Sequence, residues 1–128
     1  MINDNIEQLK SIIFDSKNLC VFTGAGISVP SGISDFRSTE GLYSQTGIEN
    51  YSPEQIVSHT FFMHHSDLFY SFYKAKMLYQ DAKPNEAHCF FAELENQRKN
   101  VMVVTQNIDG RHQLSGSTKV AELHGSHT

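Results

Sequence analysis

Gly24 and Gly26 stand directly after the apolar run Leu19–Phe22 and Thr23. A glycine pair there lets the chain turn sharply and brings backbone N–H groups close to an anionic ligand, for which a pyrophosphate is the natural guest. The full G-x-G-x-x-G dinucleotide pattern needs a third glycine at position 29, where the chain has Val29. Pro30, Ser31 and Gly32 then bend the chain again, and Asp35, Phe36 and Arg37 follow on a loop. Arg37 can fork onto phosphate or carboxylate, and Phe36 offers a flat apolar wall to a ring. The plainer alternative is an Asp–Arg surface pair with a tucked phenylalanine. Gln106, Asn107 and Asp109 lie just past a second apolar run, VMVV at 101–104. Their amides and carboxylate suit ribose hydroxyls or a ring amide. Turn formation explains Asn107 and Asp109 as well, but Gln106 poorly. His124 closes a third run, KVAEL at 119–123, and precedes Gly125. A histidine at such a place can act as a general base near neutral pH. His59, His64 and His65 sit in an aromatic segment without metal-ligand spacing to a supporting carboxylate, and His88 reads as packing or capping on a helix.

The three apolar runs are short and stop at polar clusters, TGAG, TQNID and HGS. Each is expected to be a strand, the first covered on both faces. Around them, Ile6, Leu9 and Ile13 predict an amino-terminal helix face, with Asp4 and Glu7 as its capping box. Residues 39–52 read as loop. Between Pro53 and Tyr79 two short helices are expected, starting at Pro53-Glu54 and Ser66-Asp67. Asn85 should cap a clearer helix with Ala87, Phe90, Phe91 and Leu94 on its apolar face and Gln97, Arg98 and Lys99 at its carboxyl end. Strands alternating with helices imply an α/β fold with a parallel sheet. In open parallel sheets ligands bind at the carboxyl edge, so one site should collect 24–37, 106–109 and His124.

The bulk numbers agree with this. The chain has 128 residues, 39% hydrophobic and 19% charged, as in an ordinary globular protein large enough for one domain with a modest core. A formal charge of −4 with no block of like charge argues against nucleic acid or a membrane surface as partner. The start, MINDNIEQLK, resembles no signal peptide, and no apolar run is long enough to span a bilayer, so a cytoplasmic location is expected. Of the two cysteines, Cys20 lies in an apolar run and reads as a buried small hydrophobe; with Cys89 it forms neither a disulfide framework nor a zinc site.

Four blocks in order, GAGISVPSGISDFRS, KPNEAH, TQNIDGRHQLSG and ELHGS, together resemble the sirtuins, the NAD-dependent protein-lysine deacylases. The resemblance covers essentially the whole chain, as the amino-terminal part of a bacterial-type catalytic core. It implies a partial NAD-binding domain over 1–128, an incomplete Rossmann-like parallel sheet with flanking helices. Gly24, Ala25, Gly26 and Ser28 would surround the pyrophosphate and adjoining ribose. Asp35, Phe36 and Arg37 would belong to the cofactor-binding loop. Gln106, Asn107 and Asp109 would line the nicotinamide and ribose pocket, and His124 would be the general base, with Asn107 beside it in catalysis. The implied reaction transfers an acetyl group from acetyl-lysine to ADP-ribose and releases nicotinamide. NAD is then a consumed cosubstrate and no hydride moves, which fits the break at Val29.

Three positions depart from the family pattern: Ser34 where proline is usual, Arg111 for a packing leucine, and Ser115 for alanine. Ser34 should loosen its loop, and a buried arginine with an unpaired charge would cost a few kcal/mol. The Y-x-x-R pair of deacylases that prefer acidic acyl groups is replaced by Tyr70-Ser71-Phe72-Tyr73, which points to plain deacetylation. The family's four-cysteine zinc module has no ligands in this chain, and the isolated 128 residues are expected to turn over no acetyl-peptide. An ADP-ribosyltransferase on the same fold and an inactive NAD-binding fragment remain the alternatives.

Overall fold

The computed structural model describes residues 2–97 and 99–127. Its helices are α1 (Ile2–Asp15), α2 (Pro53–Ile56), α3 (His59–His64), α4 (Ser66–Lys76), α5 (Glu86–Asn96) and α6 (Arg111–Leu114). Its strands are β1 (Asn18–Thr23), β2 (Asn100–Thr105) and β3 (Val120–Glu122), and 3₁₀ turns run over Ala25–Ser31 and Leu42–Ser44. The chain divides into two compact units, one reaching to Gly24 and resuming at Pro84, the other Ala25–Lys83.

The first unit holds a parallel sheet in the order β1-β2-β3, as the alternation of strands and helices predicts. Thr23 pairs with Thr105, and Thr105 with Glu122, so all three carboxyl ends lie on one edge. Leu94, Val101 and Val103 form the buried core, with Ile13, Leu19, Val21, Phe91 and Val120 packed on it. These residues alternate along each strand and therefore occupy one face of the sheet. The other face carries Cys20, Phe22 and Met102, all exposed, Phe22 to 64%. The expectations of a doubly covered β1 and a buried Cys20 are thus corrected: apolar runs this short do not reveal whether their second face is packed.

Two helix faces also differ from expectation. No residue of α1 is buried, and of its apolar positions only Ile13 joins the core. Asp4 falls inside the first turn of α1 rather than at its cap. In α5, Asn85 does cap the helix, accepting from Ala87 N–H at 2.9 Å. However, the buried face is His88, Ala92 and Leu94, while Ala87 and Phe90 are exposed. His88 turns the helix this way because its Nδ1 accepts from the Asn85 N–H at 3.1 Å, closing a capping box, and its ring meets His112. At the other end the Lys99 N–H donates to the Leu94 carbonyl of α5 at 3.2 Å, while its Nζ donates to the carbonyls of Phe14 and Ser16 at the end of α1. Arg98 lies outside the described residues.

The second unit is held by Leu42, Ile56, Phe61 and Phe72. Three helices stand where two were expected. Ser52 opens α2 with a capping box to Gln55, and Ser58 caps a separate α3 by accepting from Phe61 N–H at 3.2 Å. The presumed loop 39–52 contributes the Leu42–Ser44 turn, whose Leu42 is buried.

Candidate functional site

In the first unit the carboxyl edge of the sheet gathers Gly24, Gln106, Asn107, Asp109 and His124, each on the turn that leaves a strand. Asn107 is buried and donates from Nδ2 to the Gly24 carbonyl at 3.0 Å, so it ties the turn after β2 to the turn after β1. Asp109 is buried, and its Oδ1 accepts from the Arg111 N–H at 3.0 Å, an Asx-type cap on α6. Gln106 is exposed, and its backbone N–H donates to the Thr23 carbonyl at 3.0 Å. His124 is exposed beyond β3, and its segment is tethered where the His127 N–H reaches the Ile108 carbonyl at 3.1 Å.

Neither Gly24 nor Gly26 has a positive φ. A Cβ at Gly26 would meet nothing within 4 Å, and one at Gly24 only Gln106 Oε1 at 3.5 Å. The fold itself therefore does not demand glycine at either place. The open backbone at both places leaves room for a ligand to lie close against it, the arrangement by which a glycine loop serves a pyrophosphate.

Beneath this edge lies a polar group that the motifs did not single out. Thr23 and Thr105 end adjacent strands and are buried, with their hydroxyls 2.8 Å apart. Thr23 Oγ1 lies 2.9 Å from Nε2 of His112, and the His112 ring stands 4.9 Å from that of His88 in edge-to-face contact. Burial, then His88, pushes His112 down to about 4 against the pull of Asp109, so it is neutral at pH 7. His88 is lowered mainly by burial, with Asp109 raising it and Arg111 lowering it. The only trace of it in the sequence is a threonine at the end of each of two apolar runs, which by itself does not reveal a buried partner. Arg111 is buried, its charge acting on His88 against that of Asp109.

In the second unit Ala25, Gly26 and Ser28 lie in the first 3₁₀ turn, with Ser28 buried. Asp35, Phe36 and Arg37 sit on a loop that folds back on itself. Leu42 N–H donates to the Asp35 carbonyl at 2.6 Å and Tyr43 N–H to the Phe36 carbonyl at 2.9 Å. Asp35 Oδ1 accepts from the Ser38 N–H and hydroxyl. The Tyr43 ring packs against Phe36, with centroids 5.7 Å apart, and the Arg37 guanidinium lies 5.8 Å over it. Asp35 and Arg37 are thus each engaged within the loop instead of pairing with one another. Ser34 is tied by its N–H to Tyr79 Oη at 3.4 Å and by its Oγ to Gln45 at 3.3 Å, so the position is held by bonds a proline would lack.

Zinc does not fit the donors present. Cys20 and Cys89 lie on β1 and α5, and no group of three His, Cys, Asp or Glu among the described residues is arranged to hold a metal ion. Among the described residues no helix is long and apolar enough to cross a membrane.

Comparison with known proteins bears on the same residues. An NAD-dependent protein deacetylase of Clostridium perfringens (strain 13 / Type A) is 50% identical over 125 residues, 98% of this chain and 51% of that one. One of Staphylococcus aureus (strain N315) is 41% identical over 125 residues, again 98% and 51%. A solved chain from "Structural Basis for the Mechanism and Regulation of Sir2 Enzymes" superposes with a TM-score of 0.82 at 43% identity, over 96% of this chain and 47% of that one. Another, "Sir2-p53 peptide-NAD+", gives 0.77 at 41% identity over 94% and 46%. The chain spans about half the length of the curated relatives it matches. The Sir2 family model matches residues 24–128, from the glycine pair through the strand-end residues to His124, and the chain belongs to that family, the sirtuins.

Proposed function

We propose that this chain carries the cofactor-binding and general-base residues of an NAD-dependent protein-lysine deacetylase. The observation that carries the reading is the convergence of Gly24, Asn107, Asp109 and His124 on one sheet edge, in a chain 50% identical to an NAD-dependent protein deacetylase. Bound NAD would supply a ribose carbon from which nicotinamide can leave. The backbone at Gly24, Ala25 and Gly26, with Ser28, would face the pyrophosphate and its ribose. Asp109 would accept from the nicotinamide amide, and Gln106 and Asn107 would orient the ribose. In the second unit Phe36 would shield the reacting carbon from water, with Asp35 and Arg37 holding the loop in contact with the cofactor. His124, exposed and past the strand end, would take the proton from a ribose hydroxyl. The substrate would be an acetylated lysine side chain of a protein, and the site of action cytoplasmic.

The test joins these 128 residues to the second half of the Clostridium perfringens relative. That chimera should release nicotinamide from NAD only when an acetyl-lysine peptide is present. A chimera that melts cooperatively, binds NAD and releases none would refute the assignment.

A further inference from the structure

His112 is 1% exposed, and the residues it reaches, Thr23, Thr105 and Asn107, are also buried. The bonds among them form one continuous path. Asn107 N–H donates to Thr105 Oγ1 at 3.0 Å, Thr23 Oγ1 lies 2.8 Å from Thr105 Oγ1, and His112 Nε2 lies 2.9 Å from Thr23 Oγ1. We propose that His112 is a positioning residue for Asn107, acting through the paired hydroxyls of Thr23 and Thr105.

Proton accounting sets the direction of the path. Thr105 Oγ1 accepts from Asn107, and its own proton points to the Thr23 carbonyl at 3.5 Å. Thr23 then gives its single proton to Thr105 Oγ1, which leaves Thr23 Oγ1 as acceptor toward His112. His112 must therefore carry its hydrogen on Nε2. Its Nδ1, buried with no partner, is then a bare lone pair. That is cheaper to bury than an orphaned N–H. The groups facing the ring are His88 on α5 and the Asp109 carboxylate. Asn107 also donates to the Gly24 carbonyl, so the path fixes one residue that bridges the turns after β1 and β2.

The consequence for catalysis rests on reading Asn107 as a cofactor-pocket residue, but the path itself can be tested without NAD. In the labelled, unliganded 128-residue chain, imidazole nitrogen spectra should show His112 protonated at Nε2 and bare at Nδ1, unchanged from pH 8 to about pH 5.5. His112→Phe should speed exchange of the Asn107 backbone amide by about tenfold, while the Val101 and Val103 amides stay protected. His112→Gln, whose side-chain amide can replace the Nε2 donor, should restore slow exchange. If His112→Phe does not fold, Thr23→Val decides the matter with the same expectation. An Nδ1–H tautomer overturns the proposal, as does unmoved Asn107 exchange or a glutamine variant no better than phenylalanine. Failure of NAD to bind would refute the functional reading and leave this path standing.

Discussion

Single residues of the candidate site divide into those proposed to face a ligand and those buried beneath them. His88 and His112 belong to the second kind, and their burial has a consequence for stability. A histidine held neutral below its unfolded pKa of about 6.5 favours the folded state fully above that value. Its contribution is lost as pH falls from about 6.5 toward the folded value of about 4, because the unfolded chain then takes up a proton that the folded chain refuses. For His112 the loss is roughly 2–4 kcal/mol, with His88 adding in the same direction. Denaturant titrations at pH 7 and pH 5 should show the drop, and His112→Gln should flatten it. Of the candidate site, the glycine pair, Asn107, Asp109 and His124 stood out in the sequence because they follow apolar runs. Thr23, Thr105 and His112 did not, because a hydroxyl at a strand end reads as a turn former until a buried ring is seen to meet it.

Elements were legible in kind and order but not in the faces they bury. The β–α alternation fixes a parallel sheet and hence a shared carboxyl edge, so the candidate residues that end the strands could be assigned to one edge without coordinates. The buried face of α5 depends on His88 choosing the cap and the His112 ring, which no apolar periodicity encodes. Ser58 splits the central helical region because its side chain caps α3, a competition invisible to a count of apolar residues. The Asp35–Tyr43 loop shows how tightly an element can depend on one position. A Cβ on Gly41 would lie 2.8 Å from the backbone carbonyl of Phe36 and 2.6 Å from Asp35 Oδ1. Gly41→Ala should therefore spread the loop and cost about 2–3 kcal/mol, read as a lowered melting temperature, with the Phe36–Tyr43 contact broken.

At the scale of the molecule, the sheet's second face is an exposed apolar surface. Cys20, Phe22 and Met102 are exposed there, and Phe22 and Met102 are large apolar side chains on adjacent strands. Such a face favours self-association. Sedimentation of the 128-residue chain should show concentration-dependent association, and Phe22→Glu should reduce it without lowering the melting temperature, since Phe22 lies outside the core. Association unchanged by Phe22→Glu would mean that another surface is responsible. The activity proposed for the whole protein is cleavage of NAD directed toward deacetylation. Mass analysis of the products from the chimera with NAD and an acetyl-lysine peptide tests it most directly. Equal amounts of nicotinamide, free-lysine peptide and acetylated ADP-ribose are expected, all abolished by His124→Ala while NAD still binds. ADP-ribosylated protein without acetylated ADP-ribose, or full turnover in the His124→Ala variant, would contradict it.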